Sequence, residues 1–255
     1  MAGMTTGAQE KRRVVVGFSG GVTSAWCAGW AKLMYPDDEI VLLFHDTKEE
    51  DEDTYRFLHE MAAALSLPIT ERSDGRSVTE LMYDHNALPN NRMAFCSRIL
   101  KREQGEKYFA ELRSQGVTEI IKVVGFSANE TDRVQNMTAL SWRDGFKLRF
   151  PLIETKTTKQ QCADWCTCVM RVPLPRMYEW SDHANCPGCV RGGKAYWLAV
   201  LKNRPDVFEQ RSKLEEEFKH TFSDRYSLVQ IAQEGMKRKV NRKESIEIGS
   251  CECGS

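Results

Sequence analysis

Short apolar runs alternate with segments of helical periodicity along the first 155 residues of the chain. The runs are rich in Val, Ile and Leu, and turn-forming residues separate them from the helical segments, which predicts buried strands. Repeated alternation of this kind predicts an α/β fold with a doubly wound, mostly parallel five-stranded sheet. The predicted strands cover 13–18, 39–44, 67–70, 119–125 and 147–152, and the predicted helices cover 24–34, 52–66, 95–114 and 130–140.

The pattern changes after Pro151, where two prolines within 172–175 predict an extended link. Helical periodicity lies on both sides of this link, at 156–170, 193–203 and 205–220. We therefore predict an α/β domain at 1–155 and a helical C-terminal region at 156–255, which carries a Cys-x-x-Cys turn and a basic tail.

The composition is that of an ordinary globular protein, with 41% hydrophobic and 28% charged residues. Acidic and basic residues balance at 36 each, so the chain as a whole has no field that attracts polyanions. The N-terminus lacks an apolar signal core, and the longest apolar run, 40–44, is too short to span a bilayer. These features predict a cytoplasmic protein with no membrane partner.

The basic tail has two interpretations, a solvated segment or a nucleic-acid contact. Its cations are Lys237, Arg238, Lys239, Arg242 and Lys243. The sequence does not define the oligomeric state, and a homodimer is one arrangement that it allows.

A glycine loop, residues 19–24, joins the first predicted strand to the first predicted helix. Gly20 and Gly21 allow close approach of the backbone, and the amides at the start of the helix can bind an anion. The alternative is an ordinary glycine-rich turn, and the Gly-Lys-Ser/Thr ending of a Walker A loop is missing. The predicted nucleotide-binding residues are Ser19, Gly20, Gly21, Val22, Thr23 and Ser24, with Ser19 and Ser24 also candidates for catalysis.

Asp46 and Thr47 follow the second predicted strand, at the edge of a parallel sheet where the glycine loop would also lie. A carboxylate there can hold Mg²⁺ or a ribose hydroxyl, which makes Asp46 a catalytic and nucleotide-binding candidate. Asp and Thr are also favoured helix caps, so a purely structural role is the alternative.

Two further segments carry candidate nucleotide-binding residues. Arg98 and Lys101 are three residues apart in a predicted helix, so both can face the phosphates. Gly125, Glu130 and Arg133 belong to the segment that follows the fourth predicted strand.

The chain has nine cysteines, and because no signal peptide is apparent they favour metal, cluster or redox use over a disulfide framework. Cys186 and Cys189 form a Cys-x-x-Cys turn, and the candidate metal ligands are these two, Cys96 and His183. Zinc with His183 as the fourth ligand, a redox dithiol and unmetallated cysteines remain open alternatives.

The Ser-Gly-Gly-x-x-Ser pattern of the glycine loop resembles the PP-loop of the adenine nucleotide α-hydrolase-like superfamily. Together with the later segments, it makes residues 14–218 similar to the phosphoadenylyl-sulfate (PAPS) reductase-like family. Three positions depart from the family pattern: Lys48 replaces a glycine, Ser97 a cysteine and Ser127 an arginine.

The resemblance implies a Rossmann-like α-hydrolase fold and cleavage of ATP with Mg²⁺ between the α- and β-phosphates, which adenylates an acceptor and can be coupled to sulfur transfer. It also implies a [4Fe–4S] cluster on the three cysteines as one option, and a redox thiol at Cys253, where Glu252-Cys253-Gly254 matches the family's C-terminal motif. Family members often accompany phage, other mobile elements or CRISPR systems, which implies an accessory role. A sulfonucleotide reductase that releases sulfite with thioredoxin, and a non-catalytic nucleotide-gated module, are the alternatives.

Overall fold

Five parallel strands form the central sheet of the protein. The structure, a computed structural model, describes residues 11–90, 92–223 and 225–235, except for the side chains of residues 142 and 143. The strands are β1 (Arg12–Gly17), β2 (Glu39–Asp46), β3 (Ile69–Ser73), β4 (Glu119–Val123) and β5 (Lys147–Arg149).

The strand order is β3-β2-β1-β4-β5, and every pairing between neighbours is parallel. Val14 of β1 is aligned with Ile40 of β2 on one side and with Ile121 of β4 on the other. The predicted fold class, a doubly wound parallel α/β sheet, is therefore confirmed. The chain reverses its direction of strand addition between β1 and β4, so the loops after these two strands border the crevice where such sheets bind ligands.

Both faces of the sheet are buried, which explains why the strands are continuously apolar rather than alternating. Ile40, Leu42 and Phe44 of β2 pack into one core cluster with helices from the first half of the chain and with Cys162 and Cys166. The intervening residues Val41 and Leu43 pack into a second cluster on the opposite face.

Eleven α-helices are assigned within the described residues. They are α1 (Val22–Met34), α2 (Glu52–Leu65), α3 (Val78–His85), α4 (Phe95–Ser97), α5 (Gln104–Ser114), α6 (Thr131–Asp144), α7 (Pro151–Thr155), α8 (Lys159–Asp164), α9 (Lys194–Asn203), α10 (Pro205–Phe218) and α11 (Leu228–Gly235). Two π-helical segments, Arg98–Glu103 and Trp165–Val169, and a 3₁₀ turn, Arg176–Glu179, complete the helical structure of this part of the chain.

The predicted elements differ from the structure at several places. The strand predicted over 147–152 ends at Arg149, because Pro151 begins α7, where its missing N–H costs nothing. The α-helix predicted over 95–114 is wrong in its middle, which is π-helical from Arg98 to Glu103. α3 was missed, although Ser77 and Glu80 form a capping box that marks its start.

A third core cluster joins α3 and the segment around Leu100 to the C-terminal helices. Trp197 of α9 is almost fully buried there and stacks on Phe222. This core combines residues from both sides of position 155, and the division into two domains stays a prediction. Within the described residues, no helix is long and apolar enough to cross a membrane.

Candidate functional site

The glycine loop connects β1 to α1 at the carboxyl edge of the sheet. Gly20 has a φ of 77°, in the left-handed region that favours glycine, and Gly21 is extended and precedes the first residue of α1. A Cβ on Gly20 would collide with the side chain of Thr54 in α2. The loop conformation therefore requires glycine at position 20 for both backbone and steric reasons.

The Ser24 hydroxyl stabilises the glycine loop by hydrogen bonds to two other residues of the loop. It donates to the carbonyl oxygen of Gly21 (2.8 Å) and accepts from the amide of Ser19 (3.2 Å). Ser24 is buried, whereas Ser19 is exposed at the crevice. Within the described residues the amides of Gly20 and Gly21 have no hydrogen-bond acceptor, so both are free to bind an anion.

One amide of the loop already donates a hydrogen bond within the chain. The N–H of Val22, the first residue of α1, donates to the hydroxyl of Tyr178 at 3.1 Å. Tyr178 comes from the 3₁₀ turn in the C-terminal half, so a residue far along the chain completes the wall of this site. Thr23, the remaining loop residue, is half-buried at the start of α1.

The loop after β4 packs directly against the start of α1. A Cβ on Gly125 would lie 3.1 Å from the carbonyl oxygen of Thr23 and 3.3 Å from the amide nitrogen of Ser24. Glycine at position 125 thus permits the close approach of the two loops that border the crevice. The structure brings together the glycine loop and Gly125, as expected for a parallel sheet that reverses between β1 and β4.

Glu130 and Arg133 are paired beside this crevice. Glu130 accepts hydrogen bonds from the amide (2.9 Å) and hydroxyl (3.1 Å) of Ser127 and forms an ion pair with Arg133. Burial favours the neutral acid, but these contacts outweigh it and keep the pKa of Glu130 below its usual range. The Arg133 guanidinium also lies over the Phe126 ring, 4.2 Å from its centroid.

Asp46 lies at the end of β2 and is buried, with both carboxylate oxygens engaged within the chain. Oδ1 accepts from the Lys48 amide (2.8 Å) and the Tyr55 hydroxyl (2.6 Å), and Oδ2 pairs with the Lys48 ammonium at 2.7 Å. Although burial opposes ionisation, the contacts from Lys48 and Tyr55 hold the pKa of Asp46 below its usual range. In this arrangement Asp46 does not fit as a Mg²⁺ ligand, because Lys48 already neutralises it.

Lys48 has a φ of 60°, so the turn keeps the left-handed conformation although lysine stands where the PAPS reductase-like pattern has glycine. Thr47 is buried and donates to Glu50 at 3.0 Å. The alternative that Asp46 or Thr47 caps the next helix is wrong, since Asp51 is the N-cap of α2 and accepts from the Asp53 amide.

Arg98 and Lys101 do not share a face as they would in an α-helix. Arg98 pairs with Glu103 at 2.8 Å, five residues further on, which matches the repeat of the π-helical segment. Lys101 lies 3.5 Å from the buried carboxylate of Glu50. Its charge also interacts with the thiols of Cys186 and Cys189, and its role in nucleotide binding stays a prediction.

The cysteine turn, Cys186–Cys189, forms a second candidate site next to Lys101. A hydrogen bond from Cys186 is the main reason why the pKa of the Cys189 thiol falls to about 6, and the Arg191 amide and the Lys101 charge favour the thiolate as well. The same contact with Cys189, together with burial, raises the pKa of Cys186. Cys96 is near enough to Cys189 for their charges to interact.

The thiols are not arranged as a metal site. Within the described residues, no group of three or more His, Cys, Asp or Glu side chains can hold a metal ion. His183 is exposed, and its amide donates to Ser181. Cluster or zinc ligation by Cys96, Cys186, Cys189 and His183 stays a prediction, and the arrangement present does not fit it. Cys253 and the basic tail lie outside the described residues.

Sequence reasoning missed the buried ionic residues near the cysteine turn, where a Cβ on Gly188 would lie 3.0 Å from Nε of Arg211. Arg211 is almost fully buried, pairs with Glu49, and donates to Thr79 at 2.8 Å. Asp51, also buried, pairs with Arg176 (2.9 Å) and Arg204 (3.0 Å). The only signal in the sequence was the acidic run 49–53 directly after a buried strand.

These ion pairs line a cavity of about 670 Å³ between the β2–α2 loop and the C-terminal helices. Pro187 of the cysteine turn also lines it, so the cavity borders this turn. The cavity has the size of a small-molecule site.

Comparison with known proteins adds little to this geometry. No protein-family model matches the chain, and no curated protein matches it. Among solved structures, the phosphate complex of phosphoadenylyl-sulfate (PAPS) reductase from Candida auris is similar at a TM-score of 0.43, with 16% sequence identity over 69% of this chain and 80% of that one. The α/β assignment rests on the parallel sheet itself.

Proposed function

We propose that this protein binds ATP at the glycine loop and cleaves it between the α- and β-phosphates, adenylating an acceptor. The observation that carries the proposal is the pair of free amides at Gly20 and Gly21, in front of α1 and at the point where the sheet reverses. Such a loop favours negative charge through its N–H groups and the helix dipole.

In the proposed reaction an acceptor oxygen bonds to the α-phosphorus, and the bond from that phosphorus to the bridging oxygen breaks. Pyrophosphate leaves with the electron pair, and the loop amides stabilise the charge that develops on it. A sulfur nucleophile can then displace AMP from the adenylated acceptor, and Pro187 of the cysteine turn lines the cavity in which we place this acceptor.

The test is release of pyrophosphate from MgATP by the purified chain, compared with its Ser24→Ala variant. Removing the Ser24 hydroxyl takes away both bonds that brace the loop, so release should fall at least tenfold. Ser114→Ala is the matched control, because its hydroxyl also donates to the carbonyl three residues earlier, at 2.7 Å, but far from the loop. Equal rates in Ser24→Ala and the control would contradict the proposal.

A nucleotide-gated module without turnover is the second candidate, favoured by the pairing of Asp46 with Lys48. Such a module would bind ATP and release no pyrophosphate. Sulfite release from phosphoadenylyl sulfate in the presence of thioredoxin would instead support the reductase alternative. Against that alternative, Ser127 binds Glu130 at the position where the reductase pattern has an arginine.

A further inference from the structure

The Tyr178 hydroxyl lies against the glycine loop, although it is not part of any sequence motif there. Its oxygen accepts from the Val22 amide at 3.1 Å and would lie 3.2 Å from a Cβ on Gly21. The side chain is only 3% exposed, so packing fixes the position of the hydroxyl. It sits next to the two free amides of the loop.

The hydroxyl can donate a hydrogen bond as well as accept one. The amides of Val22 and Ala184 both face its oxygen, and within the described residues its proton has no acceptor. Burial raises the pKa of Tyr178, so the proton stays on the oxygen across the physiological range. A buried donor without an acceptor is costly, and a ligand oxygen would satisfy it.

We infer that the Tyr178 hydroxyl donates a hydrogen bond to a phosphate oxygen of the ligand at the glycine loop, next to the Gly20 and Gly21 amides. The inference rests on the proposed function and deepens it, since the ligand class becomes a phosphate or pyrophosphate group held by elements from both halves of the chain. Tyr178 is then a binding residue supplied by the C-terminal region.

The test compares Tyr178→Phe with the unchanged protein, since phenylalanine keeps the buried ring and removes only the hydroxyl. Titration calorimetry with MgATP and with magnesium pyrophosphate should show at least tenfold weaker binding. Adenosine should bind both proteins equally, because it has no phosphate. Tyr108→Phe, at a buried tyrosine on the opposite face of the sheet, is the control and should bind all three probes unchanged.

The direction of the change in MgATP affinity distinguishes a hydroxyl that donates to the ligand from one that only occupies the Val22 amide. If the hydroxyl merely occupies the Val22 amide and competes with the ligand, Tyr178→Phe will bind MgATP more tightly. Tighter or unchanged binding would overturn the inference while leaving the proposed function intact. If the unchanged protein binds neither MgATP nor pyrophosphate, both are overturned.

Gly21→Ala alone keeps the inference testable should Tyr178→Phe fold poorly, and where both fold they form a double-mutant cycle. The added methyl would crowd the hydroxyl at 3.2 Å, so Gly21→Ala should displace it and weaken pyrophosphate binding. In the Tyr178→Phe background the crowded atom is absent, and the penalty should be at least threefold smaller. Equal penalties in both backgrounds would show that the hydroxyl plays no part.

Discussion

The glycine loop and the cysteine turn differ in what surrounds them. The loop is shaped mainly from within, by Ser24 and the two glycines, and Tyr178 adds one distant contact. The turn makes its own hydrogen bonds with the nearby Tyr196, but it packs through Gly188 against Arg211, whose partners Thr79 and Glu49 are 132 and 162 residues away in the sequence. The local contacts of both sites can be predicted from a motif, whereas the distant ion pairs next to the turn cannot.

The largest effect should come from breaking the ion pair behind the cysteine turn. Arg211→Met leaves the Glu49 carboxylate without its cation in a largely buried place, which should cost about 3–5 kcal/mol of unfolding free energy in urea titrations. Lys213→Met on the same helix removes an exposed pair with Glu209 and should change little. If Arg211→Met were as stable as the control, the turn would depend on other contacts.

The glycine loop should be broken by a change at Gly20. Gly20→Ala combines a left-handed φ with a collision against Thr54 and should cost about 3 kcal/mol, with loss of MgATP binding. Gly116→Ala is the control, because Gly116 has a φ of 82° but open space around it, and should cost only about 1 kcal/mol. Similar urea midpoints for the two variants would show that the Thr54 side chain moves aside without a loss of unfolding free energy.

His45 lies on β2 just before Asp46, and its ring is near enough to Lys101 for their charges to interact. Burial, with help from Lys101 and Lys122, lowers its pKa to about 4, and its Nε2 has no partner within the described residues. The folded chain therefore resists a proton that the unfolded chain accepts near pH 6.5, so stability should fall as pH drops from 6.5 towards 4.

Between pH 7 and pH 5 this group should account for a loss of about 1–2 kcal/mol in unfolding free energy. His45→Leu should flatten that part of the pH profile in urea titrations. A profile of unchanged slope in the variant would assign the acid sensitivity to other groups.

The smallest effect concerns the reactivity of the thiols. Cys186→Ala removes the hydrogen bond that favours the Cys189 thiolate, so the midpoint of Cys189 alkylation by iodoacetamide should rise by about one pH unit from its value of about 6. Peptide mass spectrometry identifies the alkylated residue, and Cys27→Ala, at a buried cysteine in another core cluster, is the control. An unchanged midpoint would mean that the Lys101 charge and the Arg191 amide alone lower the pKa of the Cys189 thiol.

The same contrast explains what the sequence could predict. The strands were found because burial on both faces leaves continuous apolar runs such as Val14–Val16, and the glycine loop because its glycines are required by its backbone. The π-helical segment was not found, since nothing in the composition of 98–103 distinguishes it from an α-helix. The pairing of Asp46 with Lys48 was also missed, because it depends on a left-handed lysine that sequence patterns disfavour.

The π-helical segment at Arg98–Glu103 spaces its side chains more closely around the helix axis than an α-helix does. A π-turn holds roughly one residue more per revolution than an α-turn. Removing a single residue from this segment would restore α-helical winding while the flanking helices keep their phase, because the shortened turn still completes one revolution. The side chains inside the segment would then be spaced by about 100°, so the extra residue determines where Lys101 lies relative to Glu50.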